Sequence, residues 1–257
     1  MKNHKAIRLD KFFGVAALIS ILVFAVMIYS DFFVSSKENT GSLSAGKDTA
    51  GGQKNSQNDQ DNGTETSSGK LTVCIDAARG GKDTGLTNGS NKEKDITLEI
   101  AGLVASKLEA HNIKVVMTRT KDEDVSDESR ARIWNASDVN VCFSLRMNSY
   151  NKDTSVSGAE VYIHTTQPEE SVKFADDILT SISKETGMKN RGIRSGTASS
   201  DKDNYYINAH SRCISCVVNM GFISNTSDLN LVTTQKDKMA QAIADGIVNY
   251  FKQAGVY

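Results

Sequence analysis

The chain has 257 residues, 39% of them hydrophobic and 24% charged, enough for one domain with a sizeable core plus appendages. Its formal net charge is -1, and the basic excess is confined to the first eleven residues, so no basic stripe points to nucleic acid as a partner.

Lys2, Lys5, Arg8 and Lys11 precede a run from Phe12 to Ser30 that carries no formal charge. At ~1.5 Å per residue that run is about one bilayer crossing. The sequence therefore predicts a cytoplasmic N-terminus over residues 1–11, a transmembrane anchor over 12–34 and an exported remainder, localised to the cell membrane as a single-pass protein. A cleaved signal peptide is the competing reading, but the run exceeds the usual ~7–15-residue apolar core and no small-x-small site follows closely. Residues 35–69 are almost entirely Ser, Gly, Asn, Asp, Gln, Lys and Thr, with too little apolar surface to offset ordering entropy, and read as a disordered extracytoplasmic linker.

From residue 70 to 257 apolar runs alternate with helical periodicity, the pattern of a three-layer αβα domain with a twisted, mostly parallel sheet flanked by helices. Leu71 to Asp76 predicts a buried first strand. Ile96, Ile100, Leu103, Val104 and Leu108 predict a helix capped by Asp95, followed by a strand over Ile113 to Met117 and a short helix over Glu128 to Ala136. Strands are expected at Val139 to Leu145 and Ala159 to Ile163, then a helix bearing Val172, Ala175, Ile178, Leu179 and Ile182. After a loop from Arg191 to Asp203, Tyr205 to Ile207 and Ile214 to Val218 read as short strands, and Met239, Ile243, Ile247, Tyr250 and Phe251 stripe a closing helix.

Cys74, Cys142, Cys213 and Cys216 all fall in apolar, strand-like runs and read as buried thiols, their disulfide status open. The Cys213-x-x-Cys216 spacing lacks the second pair of a zinc ribbon and the helix of a thioredoxin-like motif.

Motifs occur at five places in order: Asp76-Ala-Ala-Arg79-Gly-Gly81, Lys92-Glu93-Lys94-Asp95, Thr118-Arg119 followed by Arg130 and Asn135, Ser144-Leu-Arg146-Met-Asn148, and Val218-Asn219-Met-Gly-Phe-Ile-Ser-Asn225. Together they resemble the zinc-dependent N-acetylmuramoyl-L-alanine amidases of bacterial cell walls, over nearly all of residues 70–257. The resemblance implies a groove at strand ends where relatives use zinc and a catalytic glutamate to cleave the bond between N-acetylmuramic acid and L-alanine. It also implies that Glu93 is a retained metal ligand, that Arg79 and Arg146 stand at the two histidine ligand positions, and that Asn219 stands at the catalytic glutamate. A guanidinium stays protonated and has no lone pair to offer a metal.

The expectation is a degenerate amidase with no cofactor, whose Arg79 and Arg146 both fork onto Glu93 and which keeps Arg79, Glu93, Arg146, Asn148 and Asn219 as a ligand-binding groove. Its expected partners are peptidoglycan or its peptide stems, with cell-wall proteins as a further class and the membrane reached through the N-terminal helix. The alternatives are an active peptidoglycan amidase and a protein-interaction module that binds no glycan. His164 and His210 are the histidines that would have to join Glu93 for a rebuilt metal site, a use that two neighbouring arginines oppose by charge.

Overall fold

The computed structural model describes residues 71–136 and 138–257; the expected cytoplasmic segment, anchor and linker over 1–69 lie outside them. Strand β1 (Thr72–Ala77) is buried along its whole length. A buried central strand reads as an unbroken apolar run, which is why its pattern does not alternate. A two-residue hairpin follows, β2 (Thr87–Asn88) and β3 (Asn91–Lys92), then helix α1 (Glu93–Ala110) and strand β4 (Lys114–Met117). Helix α2 (Asp127–Trp134), β5 (Val141–Asn148), β6 (Ala159–Ile163) and α3 (Glu169–Thr186) come next. The chain then runs through β7 (Asn190–Ser195), α4 (Tyr206–His210), β8 (Ile214–Phe222), α5 (Thr226–Thr233) and α6 (Lys236–Gln253).

The six-stranded sheet has the order β4-β1-β5-β8-β6-β7. Every neighbouring pair is parallel except β6 with β8, so the sheet is mixed. Helices α1, α3 and α6 pack on one face over the larger core, and α2 and α4 cover the other over a smaller cluster of Cys74, Trp134, Cys142, Tyr162, Ile207 and Val217. Ile96, Ile100, Val104 and Leu108 are buried on α1, and Ile178 and Ile182 on α3 meet Ile243 and Ile247 of α6 in the same core. The two long helices touch closely at Gly246, where a Cβ would stand 2.6 Å from the Ile178 Cα.

Three expectations need correction. Asp95 is not the cap: α1 begins at Glu93 after an extended Lys92, which turns the Glu93 side chain into the protein. The segment 191–203 is not all loop, since Asn190–Ser195 adds to the sheet as an edge strand whose arginines hide its strand pattern. Tyr205 to Ile207 is not a strand; it enters α4, because the Asn208 amide docks on the sheet face, donating to the Tyr162 carbonyl at 3.1 Å while its oxygen accepts from Ser215 at 3.1 Å.

Candidate active-site groove

The motif residues converge at the C-terminal ends of β1, β5 and β8, where the open end of a parallel sheet leaves a crevice. Asp76, at the end of β1, is buried and accepts hydrogen bonds from Thr118 Oγ1 at 2.7 Å, Ser144 Oγ at 2.5 Å and the Arg130 guanidinium at 2.5 Å. Arg130 also donates to the Arg79 carbonyl at 2.7 Å, and the buried Arg119 donates to the carbonyls of Ala77, Ala78 and Lys94. Lys94 closes the far side with a 2.9 Å bond to the Gly81 carbonyl. Residues 77–81 are thus held by three cationic side chains acting on backbone oxygens. Asn135 bonds the loop ahead of β8 through the His210 carbonyl and the Arg212 N–H, both at 2.8 Å.

Inside this frame Glu93 is fully buried. Its Oε1 accepts from the Met147 N–H at 3.0 Å, and its Oε2 accepts from the Leu86 N–H at 2.9 Å and from Arg79 Nε at 3.1 Å. Arg79 has a left-handed backbone, φ 68°, which costs a non-glycine residue about 1–2 kcal/mol. The frame of Arg130 and Arg119 holds it there, and its second contact is Asp83 Oδ2 at 3.3 Å. Burial works against the Arg79 charge, but the Glu93 and Asp83 carboxylates outweigh it and hold the guanidinium above the ordinary arginine range. Burial likewise opposes the Asp83 charge, yet the Gly85 N–H and Arg79 keep its carboxyl below the usual range.

Arg146 departs from expectation. It does not reach Glu93; its guanidinium lies 5.0 Å from the centre of the Tyr205 ring and its Nε is buried with no hydrogen-bond partner. Leu145 and Met147 point into the larger core, so Arg146 leaves β5 on the side it shares with Cys142, where it meets the Tyr205 ring. Glu93 already accepts from three donors.

Asn219 stands in cross-strand register with Arg146 on β5 and Glu160 on β6. It is buried, and its side-chain amide has no hydrogen-bond partner among the described residues. Asn148 donates to Glu160 Oε1 at 2.6 Å. The buried Glu160 was not singled out from sequence, although it is the polar member of an otherwise apolar strand followed by two nearby arginines. It accepts from Tyr162 Oη at 3.0 Å and from Arg191 Nε and Arg194 Nε, each at 3.1 Å. Two hollows flank the row: one of about 430 Å³ bounded by Arg79, Asp83, Asp127, Arg130 and Arg146, and one of about 880 Å³ beside Asn148, Glu160, Arg191 and Arg194.

His164 and His210 stay out of the pocket. The first bonds Thr166 Oγ1 at 2.8 Å, and the second stacks on Tyr206 with ring centres 4.0 Å apart.

Residues 73–249 match the N-acetylmuramoyl-L-alanine amidase family. The chain belongs to this family. Among amidase relatives, LytC of Bacillus subtilis (strain 168) is 30% identical over 184 residues, which cover 70% of this chain and 36% of LytC, so the chain spans about a third of that protein. YqiI of the same organism, an uncharacterized protein, is 30% identical over 185 residues, 71% of this chain and 85% of YqiI. The amidase AmiC2 of Nostoc punctiforme superposes with a TM-score of 0.64 at 31% identity, covering 72% of this chain and 98% of AmiC2. An amidase of Clostridium difficile 630 does so with a TM-score of 0.65 at 26% identity, covering 71% and 97%.

The donor set here does not fit the zinc that the amidase resemblance implies. Zinc needs three protein ligands with lone pairs and one open position. Glu93 offers one carboxylate whose oxygens already carry three hydrogen bonds, and Arg79 and Arg146 offer cations. Among the described residues no three His, Cys, Asp or Glu side chains are grouped to hold a metal ion.

The pair at the centre is tightly enclosed. Gly85 has φ +64°, and a Cβ there would stand 2.4 Å from Glu93 Oε2 and 2.8 Å from Arg79 Cγ. Gly85→Ala is expected to cost about 2–4 kcal/mol, combining left-handed strain with overpacking, read as a lower melting temperature of the purified protein.

Proposed function

We propose that this chain is a membrane-anchored, catalytically inactive amidase of the bacterial cell wall that binds peptidoglycan through its peptide stems. The observation that carries the reading is the pairing of Arg79 with Glu93: a permanent cation lies against the carboxylate on which a hydrolytic metal would depend. Asn219, an amide, has no proton to exchange as a general base, and losing a base alone costs about 10²–10⁴ in rate.

What the groove retains is suited to recognition. Arg146 presents a buried Nε–H without an acceptor, and an unpaired buried donor costs about 1–3 kcal/mol until a ligand supplies one. A stem-peptide carboxylate or carbonyl is such an acceptor. The uncharged apolar run from Phe12 to Ser30 supports anchoring at the membrane.

Zinc content of the purified chain, a digest of cell-wall sacculi and titration with soluble muropeptides test this together. The expected results are substoichiometric zinc, no released peptide, and saturable binding that Arg146→Ala weakens at least ~10-fold, the scale of one charge-assisted bond. Bound zinc with peptide release would establish the active-amidase reading instead. No muropeptide binding, with a wall protein co-purifying, would establish the interaction-module reading.

A further inference from the structure

Three of the four thiols meet on the face of the sheet under α2 and α4. Cys74 and Cys142 stand in register on the adjacent strands β1 and β5, and Cys213 lies just ahead of β8 on the same side. Cys216 points into the opposite core, so the Cys213-x-x-Cys216 spacing brings no pair together. The hydroxyl of Ser211 lies between two of the thiols, 3.2 Å from Cys142 Sγ and 3.3 Å from Cys213 Sγ. That shared hydroxyl places the two thiols in one small pocket.

Their surroundings differ. Cys142 is fully buried, whereas Cys213 is half-buried and lines a surface depression of about 400 Å³ with His164, Asn208, Ser211 and Arg212. Only Cys213 can meet a reagent from solution. Hydrogen bonding from Cys142 and Ser211 lowers the pKa of its thiol against the opposing effect of burial, while burial pushes Cys142 up. A partly exposed thiol backed by a buried one is the division of labour of an attacking and a resolving cysteine.

We propose that Cys142 and Cys213 form a redox-active dithiol that closes to a disulfide by exchange with an external disulfide. Cys213 thiolate attacks one sulfur of that disulfide, forming a mixed disulfide and expelling the first thiolate. Cys142 then gives up its proton and attacks Cys213 Sγ, expelling the second thiolate. The external disulfide is reduced to two thiols, which take up the two protons, and the protein is oxidised by the same two electrons. The closed bond ties β5 to the segment between α4 and β8.

The test is to incubate the reduced full chain with excess oxidised glutathione, quench in acid, alkylate the remaining thiols and map the peptides. One Cys142–Cys213 disulfide per chain is expected, with two glutathione equivalents released. Closing a loop of about 70 residues should raise the melting temperature by about 10 °C. Cys213→Ala should take up no glutathione, and Cys142→Ala should retain it on Cys213. Glutathione that persists on wild-type Cys213, a Cys74–Cys142 bond, or four thiols still free in the folded protein would each overturn the proposal. The wild-type map decides the matter even if Cys142→Ala fails to fold.

Discussion

Exchanging Arg79 and Arg146 together for histidine is expected to give a protein that retains about one zinc ion per chain after dialysis, where substoichiometric zinc is expected of the parent. Adding Asn219→Glu should then raise stem-peptide release by about 10²–10⁴-fold over the double variant. The scaffold for this reversal is in place. Glu93 is oriented by the Leu86 and Met147 N–H groups independently of Arg79, so removing the guanidinium frees an oxygen without freeing the side chain. Histidine tolerates the left-handed backbone of position 79 better than most residues. Position 219 is the cross-strand neighbour of position 146, about 5 Å away on the same face, which puts a carboxylate beside the restored ligand. Metal analysis separates the steps from turnover. If the double variant stays empty while folded, the arginines are not what denies the site its metal.

The second large effect concerns stability. Glu93→Gln should destabilise the domain by about 3–5 kcal/mol, because it leaves Arg79 without its buried counter-charge and turns an amide NH₂ toward backbone donors. For a domain of this size that corresponds to a melting-temperature loss of roughly 6–20 °C. A double-mutant cycle distinguishes the pair from the cavity. Arg79→Met in the Glu93→Gln background should recover part of the loss, since the cation that faced Glu93 is then gone. A Glu93→Gln protein that melts with the parent would remove the ion pair as the element holding this pocket together.

Much of the fold was legible because its signals are strong and local. The stripes Ile96 to Leu108 and Met239 to Phe251 match one buried helix face each, and Leu71 to Asp76 reads as a strand because a doubly covered strand is apolar throughout. The misses share a cause, that tertiary contacts override weak local pattern. Tyr205 to Ile207 has strand-like residues but is drawn into a helix by the docking of Asn208. The β7 edge carries Arg191 and Arg194, whose partner Glu160 lies more than thirty residues earlier, so its place in the sheet is invisible to any short window.

In the site, residue chemistry travelled well and direction did not. That Arg79 would engage Glu93 followed from charge and motif position. That Arg146 would turn to Tyr205 depends on a ring more than fifty residues further along the chain, which is not written in the motif. Asp83 entered as a second counter-charge for the same reason: its proximity to Arg79 is set by the left-handed turn between them.

The position of β8 governs how this site comes into being. It is the last strand to be synthesised, yet it lies inside the sheet, between β5 and β6. Until residues 214–222 insert, Arg146 and Glu160 belong to separate half-sheets, and the row they share through residue 219 does not exist. The row and the finished fold therefore appear in one cooperative step of high contact order. Fragments that stop short of β8 should have neither.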